Sequence, residues 1–236
     1  EITLSGGAGA VVRLLWAESL YEDPGSSEQI PLRKGNRNEV VNKYFYGFGD
    51  TVRHDGTTTA VYRPLWWRSG RYIMIEVSTA DEALRIDALS VRETRYPLAP
   101  SAEFCSDDAA LSRFVPLAIR GIQMCSHETY MDCPYYEQLM YVGDTRLEML
   151  ATYVLSPDTA LVQRGIELFE WSQAAGYDFV NERYPSMPVQ LCTPFAMIWV
   201  SLLRDFAWWR SDDAWVRERL VGMRNLLEHI RALRNE

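Results

Sequence analysis

The sequence predicts a multidomain chain, β first and α second. Three observations carry this. Up to about residue 97, short runs rich in β-branched and aromatic residues alternate with turn signals. After about residue 106 the apolar residues recur at helical spacing instead. Between them, Tyr96-Pro97-Leu98-Ala99-Pro100-Ser101 sets two prolines in a stiff, extended segment. The expected organisation is a β-sandwich over 1–97, a linker at 98–105 and a helical domain over 106–236. A length of 236 residues has room for one large domain or two small ones.

In the β part, the mostly apolar run Val11–Trp16 reads as a strand, and Asp23-Pro24-Gly25-Ser26-Ser27 as a turn. Tyr44–Phe48 and Thr57–Tyr62 have strand composition. His54-Asp55-Gly56 is a hairpin or loop signal. Tyr72, Met74 and Glu76 alternate with Ile73, Ile75 and Val77, the period of a half-buried strand, and Leu84–Val91 repeats it. Short strands with turns at intervals suit a sandwich of jelly-roll type.

In the α part, Ser106 with Asp107 and Asp108 reads as an N-cap with acids in the first turn. That helix is expected to run towards Tyr130, with a start or kink at Pro116. Leu147, Leu150, Ala151 and Val154 mark the next helix. Ser156-Pro157-Asp158 opens a third, with Ser as N-cap and Pro at N1, bearing Leu161, Gly165, Leu168 and Phe169 and ending near Gly176. Thr193 or Pro194 opens a fourth, to about Arg210. Ser211-Asp212-Asp213 caps a fifth with the stripe Val216, Leu220, Met223, Leu227 and Ile230. Short connections between consecutive helices indicate antiparallel hairpins.

Composition narrows the partners. A hydrophobic content of 47% suffices for a packed core. A net charge of −8 and a pI near 5.0 argue against nucleic acid, which needs a basic stripe. No apolar run reaches the roughly 18 residues of a membrane span, so no membrane partner is expected. No charged-then-apolar signal opens the chain, yet Glu1 is no initiator Met, so a removed leader or earlier domains are an expectation. Cys105, Cys125, Cys133 and Cys192 show no CxxC pairing and read as free thiols. His54, His127 and His229 share no ligand spacing, and His127 reads as a satisfied core histidine. Without GxGxxG, P-loop or GxSxG, neither nucleotide binding nor serine hydrolysis has support, and no cofactor or metal is expected.

The chemistry concentrates in the fifteen residues Asp132-Cys133-Pro134-Tyr135-Tyr136-Glu137-Gln138-Leu139-Met140-Tyr141-Val142-Gly143-Asp144-Thr145-Arg146. Three carboxylates and three tyrosines fall between Asp132 and Asp144. Pro134 ends any preceding helix, and Gly143 is expected to free the backbone ahead of the next. The carboxylates are therefore expected on a loop between helices, where a rigid scaffold holds reactive groups. Aromatic rings beside carboxyls suit a sugar: the ring stacks on C–H bonds while the carboxyls take hydroxyls and protons.

This string resembles the catalytic loop of bacterial α-L-rhamnosidases, glycoside hydrolase family 78. The resemblance rests on Asp132-Cys133-Pro134, Glu137, Tyr141 and Gly143-Asp144. Many members have Trp where this chain has Tyr141, and a longer, more basic segment between Pro and Glu. Weaker matches are Ala17–Tyr21, Lys34–Glu39 and Pro64–Arg68 in the β part, and Glu182–Ser186 and Pro194–Trp208 in the α part. The resemblance implies a β-sandwich followed by an (α/α)6 barrel of six helical hairpins. Five expected helices make that a partial barrel, with the rest of the catalytic barrel as a partner. It implies an inverting hydrolase that releases terminal α-L-rhamnose from a rhamnose-containing oligosaccharide or glycoside. Glu137 takes the place of the general acid. Asp132 and Asp144 would bind sugar hydroxyls, with helix capping as the structural role open to Asp144. Tyr141 would wall the sugar or pack in the core. Arg183 would hold a carboxylate or hydroxyl, or form a structural ion pair. Trp199 lies in a further family block and joins the candidates for sugar contact. The family's general-base Glu lies in the second half of the barrel and has no candidate here.

Two other functions fit the same sequence. One is a different six-hairpin glycosidase or a polysaccharide lyase; the other is a non-catalytic carbohydrate-binding fragment. Trp66-Trp67-Arg68 is a sugar patch or a packing surface, since adjacent residues of a strand face opposite sides. A half barrel is further expected to leave Leu147, Leu150 and the stripe from Val216 to Ile230 only partly covered, to open a cleft around Glu137, and to be less well closed than the sandwich.

Overall fold

The computed structural model describes residues 1–22, 33–173 and 179–233. The turn expected at 23–27 and the helix end expected near Gly176 lie outside these residues. The chain divides into two compact units, Glu1–Thr94 and Arg95–Glu236.

The first unit has two small antiparallel sheets. One has the order β4-β1-β6, from Ala60–Tyr62, Ile2–Gly6 and Leu84–Leu89. The other has the order β3-β2-β5, from Phe48–Arg53, Val11–Ala17 and Tyr72–Ser78. Ile2, Leu4 and Val12 are buried together, with Leu14, Val52, Tyr62, Ile75 and Leu84 around them, so both sheets share one apolar cluster.

The expected strands at Val11, Tyr72 and Leu84 form. Three features differ from the sequence expectation. The central strand β1 was not anticipated, although Ile2 and Leu4 alternate with Thr3 and Ser5. Tyr44–Phe48 is not a strand before Phe48; Tyr44 makes only an isolated bridge to Tyr21. The strand there, β3, opens with Phe48-Gly49-Asp50, residues of poor strand propensity apart from Phe48. Gly49 is required by close approach: a Cβ would lie 1.7 Å from the Leu14 carbonyl oxygen. Trp66 and Trp67 lie outside any strand, and their rings stack on each other at 5.9 Å instead of facing opposite sides.

The second unit holds five helices: α1 Ala109–Met124, α2 Val142–Leu155, α3 Ala160–Gln173, α4 Thr193–Arg210 and α5 Asp213–Leu233. The segment before α1 is extended but tied down. Tyr96 donates its hydroxyl to Asp158 at 2.9 Å, Leu98 is buried, and Ser101 N–H bonds the Leu155 carbonyl. The caps fall later than the serines suggested. Asp108 caps α1 by accepting from Ala110 N–H at 2.8 Å, and Asp158 accepts from Leu161 N–H at the start of α3. Asp212 does the same for α5 through Trp215 N–H. Helix α1 keeps Pro116 inside and stops at Met124, well short of Tyr130.

The core of this unit packs α2, α3, α4 and α5 around Tyr130, Phe169, Trp199 and Phe206, all fully buried. Leu161, Gly165, Leu168 and Phe169 face it as the spacing of α3 required. On α2 the buried face is instead Val142, Thr145, Met149, Thr152 and Tyr153, while Leu147 is 70% and Val154 64% exposed. On α5, Leu226 is buried and Leu227 is not. The polar Thr152 holds a buried position because loop residue Tyr130 needs a partner inside: its hydroxyl donates to Thr152 Oγ1 at 2.8 Å. The sheet unit does not close better than the helical one; its shared cluster buries only Ile2, Leu4 and Val12 fully among the described residues.

One ion pair fastens α2 to α4. Arg146 Nε donates to Asp205 Oδ2 at 2.8 Å, and the Asp205 side chain is only 9% exposed. Asp205→Ala is expected to destabilise the helical unit by about 2 kcal/mol, since it strands a half-buried guanidinium. Urea denaturation of the two proteins measures it.

Candidate active site

The carboxylate loop leaves α1 through a tight crossing. Ser126 Oγ caps back onto the Ile122 carbonyl at 2.7 Å, and Met131 N–H bonds the Cys125 carbonyl. His127 is buried there, with Nε2 donating to the Met124 carbonyl at 3.1 Å, and burial lowers its pKa. Asp132 then closes the loop on itself. Its N–H donates to the Leu139 carbonyl, and its Oδ1 accepts from Leu139 N–H at 3.0 Å. Within the closed loop Glu137 N–H donates to Cys133 Sγ at 3.3 Å, and Gln138 takes a left-handed φ of 53°. Tyr135 and Tyr136 meet edge to face at 4.7 Å. Glu137 is exposed.

The loop's exit is held by a distant segment. Val142 N–H donates to the Glu182 carbonyl at 2.9 Å and Tyr184 N–H to the Met140 carbonyl at 3.1 Å, so Tyr141 pairs with Arg183 as in a short antiparallel ladder. Met140 and Val142 point into the core and Tyr141 between them points out. Tyr141 Oη donates to Glu137 Oε2 at 2.5 Å and accepts from Arg183 Nη1 at 3.3 Å. The bond to Glu137 raises the Tyr141 pKa, because ionised tyrosine would lose it. Arg183 thus contacts the site through a tyrosine hydroxyl.

Helix α2 starts at this point. Its N-cap is Tyr141, so Asp144 lies in the first turn and is not the cap. Its charge favours the helix N-terminus. Desolvation raises its carboxyl above the usual range, and Asp132 and Glu137 push it further. Gly143 does not act through backbone freedom. It is inside the helix, and a Cβ there would sit 3.0 Å from the Phe195 ring, so glycine admits that ring.

The structure brings Asp132, Glu137, Tyr141, Asp144 and Arg183 into one neighbourhood. It does not bring Trp199 there. Trp199 is fully buried between helices and spends its indole N–H on the Ile166 carbonyl at 3.1 Å. One group was missed: Glu148, a turn after Asp144 on the same helix, within electrostatic reach of Asp132 and Asp144. The i, i+4 spacing of Asp144 and Glu148 was the signal for it. All four cysteines are free thiols. Among the described residues no His, Cys, Asp and Glu cluster is arranged to hold a metal ion, and no helix is long and apolar enough to cross a membrane.

Residues 100–236 match the family model of the bacterial alpha-L-rhamnosidase six-hairpin glycosidase domain. The chain belongs to this family. Two solved structures share its fold. A family 78 rhamnosidase of Bacillus sp. GL1 is 20% identical with a TM-score of 0.68, over 97% of this chain and 22% of that one. A rhamnosidase from Klebsiella oxytoca with rhamnose bound is 20% identical with a TM-score of 0.67, over 96% of this chain and 44% of that one. The chain therefore spans less than half the length of either rhamnosidase. Curated proteins give no match.

The Asp132 bond to Leu139 separates a structural from a purely ligand-facing carboxylate. Asp132→Ala is expected to speed hydrogen exchange of the Leu139 amide about tenfold, the loss of one net hydrogen bond of about 1 kcal/mol or slightly more. Asp132→Asn keeps an acceptor oxygen and is expected to leave it nearly unchanged.

Proposed function

We propose that this chain supplies the acid-bearing side of a glycosidase site that releases terminal α-L-rhamnose with inversion. The observation that carries the proposal is the exposed Glu137 carboxyl, tied to Tyr141 and standing beside Asp132 and Asp144 in a rhamnosidase-family domain. The rhamnose named with the Klebsiella oxytoca structure supports the choice of sugar.

An inverting glycosidase needs an acid on the leaving-group side and a base carboxylate on the opposite face. Glu137 gives its proton to the glycosidic oxygen as the bond to the anomeric carbon breaks. A water, deprotonated by the base, attacks that carbon from the other side. Asp132 and Asp144 accept hydrogen bonds from sugar hydroxyls, with Asp132 using the oxygen not occupied by Leu139. Tyr141 presents its ring edge to the sugar and its hydroxyl to the acid. Trp199 has no part in this site, since its indole is buried and bonded within the core. The base comes from further hairpins of a barrel of which this chain forms part. The short span of the chain against both rhamnosidases supports that division.

In the complete enzyme, Glu137→Gln is expected to lose a hundredfold or more in hydrolysis of rhamnosides with poor leaving groups. Activated aryl rhamnosides, whose leaving groups need less protonation, are expected to lose much less. Equal losses on both kinds of substrate reject the acid role. The purified 236-residue chain, lacking a base, is expected to bind rhamnose weakly and to show no turnover. Rhamnoside hydrolysis by that chain, abolished by Glu137→Gln, rejects the division of the site.

A further inference from the structure

Glu148 stands one turn beyond Asp144 on α2, and residues four apart share a helix face. Its carboxyl lies near the start of the carboxylate loop, by the Met131 backbone, whose N–H is bonded to the Cys125 carbonyl. Its Oε2 is buried without a hydrogen-bond partner among the described residues. The groups that face it are Asp144 on its own helix, Asp132 on the loop, Cys125 at the end of α1 and Tyr130 beside the loop. None of these is a cation. A buried carboxylate with no cation and two carboxylate neighbours is disfavoured against the neutral acid. Burial first, then Asp144 and Asp132, push the Glu148 carboxyl up to about 9. Cys125 is pushed up to about 12 and Tyr130 higher still, so neither ionises in the same range.

We propose that Glu148 is a positioning residue which keeps its proton in the resting protein, so that Asp132 and Asp144 stay close enough to hold one sugar. Loss of that proton puts a third negative charge behind the pair, drives the two aspartates apart and weakens sugar binding. The inference rests on the reading of Asp132 and Asp144 as sugar ligands. Glu148 itself touches no sugar; it acts through the two aspartates.

The test follows the carboxyl and the sugar separately, in the 236-residue chain. With 13C-labelled glutamate carboxyls, the resonance lost in Glu148→Gln is expected to titrate near pH 9 in the parent chain, where burial and its neighbours set it. Asp144→Asn, which removes a like charge, is expected to lower that midpoint. An ordinary carboxyl midpoint, or one indifferent to Asp144→Asn, overturns the proposal. Rhamnose affinity by calorimetry is expected to hold to about pH 8 and to fall roughly tenfold one pH unit above the midpoint. The conservative Glu148→Gln variant, which cannot ionise, is expected to keep its affinity through that range. The same alkaline loss in both proteins overturns the positioning role. If the parent chain binds no rhamnose at any pH while Glu148 titrates as expected, the sugar-site reading fails and takes the positioning role with it.

Discussion

The site depends on a backbone constraint more than on any side-chain pair. Residues 140–142 are held by 182–184 through two peptide hydrogen bonds. Because successive residues of an extended segment point to opposite sides, burying Met140 and Val142 obliges Tyr141 to face outward. Its hydroxyl then falls on Glu137, and Arg183, paired opposite it, falls on the same hydroxyl. The same burial of Val142 starts α2 where it does, which sets Asp144 in the first turn and Glu148 a turn below. Core packing thus determines the positions of Tyr141, Arg183, Asp144 and Glu148.

The carboxylates around this constraint differ by depth. Glu137 is exposed, Asp144 is raised by partial desolvation, and Glu148 is pushed up to about 9. Burial governs the order, because desolvation is the largest cause for both raised groups and the neighbouring charges come after it. None of the groups that face Glu148 is a cation, so its neutral form lets it stand behind the exposed Asp144.

The order of elements was legible in the sequence because each has a local cause. Helices α4 and α5 begin and end where Thr193, Arg210 and Asp212 mark them, and the apolar spacing of α3 matches its buried face. The carboxylate loop was legible as a string of three carboxylates and three tyrosines. What was not legible depends on partners far along the chain. Leu147 and Val154 recur at helical spacing, but which face of that helix is buried depends on the hydrogen bond of Tyr130 to Thr152, which spacing does not reveal. Trp199 looked like a sugar platform, yet the Ile166 carbonyl gives its indole N–H a partner inside. Gly143 looked like a hinge, and only the position of Phe195 shows it to be a space. Tyr141 reads as a sugar wall or as core, because nothing local says that its hydroxyl meets Glu137.

Helix α1 bears on how large a body this fold belongs to. Val115, Ile119 and Ile122 recur along one face and are half-buried, and Ile122 packs on the core. Leu111, Phe114 and Leu117 lie on another face, each about half exposed or more, and no residue of the helix is fully buried. A helix apolar on two sides is normally covered on both. Leu147 and Val154 on α2, and Met197 and Trp208 on α4, repeat the pattern of one covered and one open apolar face. Open apolar surface on several helices of one unit exceeds what scattered exposed residues account for. In a six-hairpin family, helical hairpins are elements of the right shape and polarity to cover such faces.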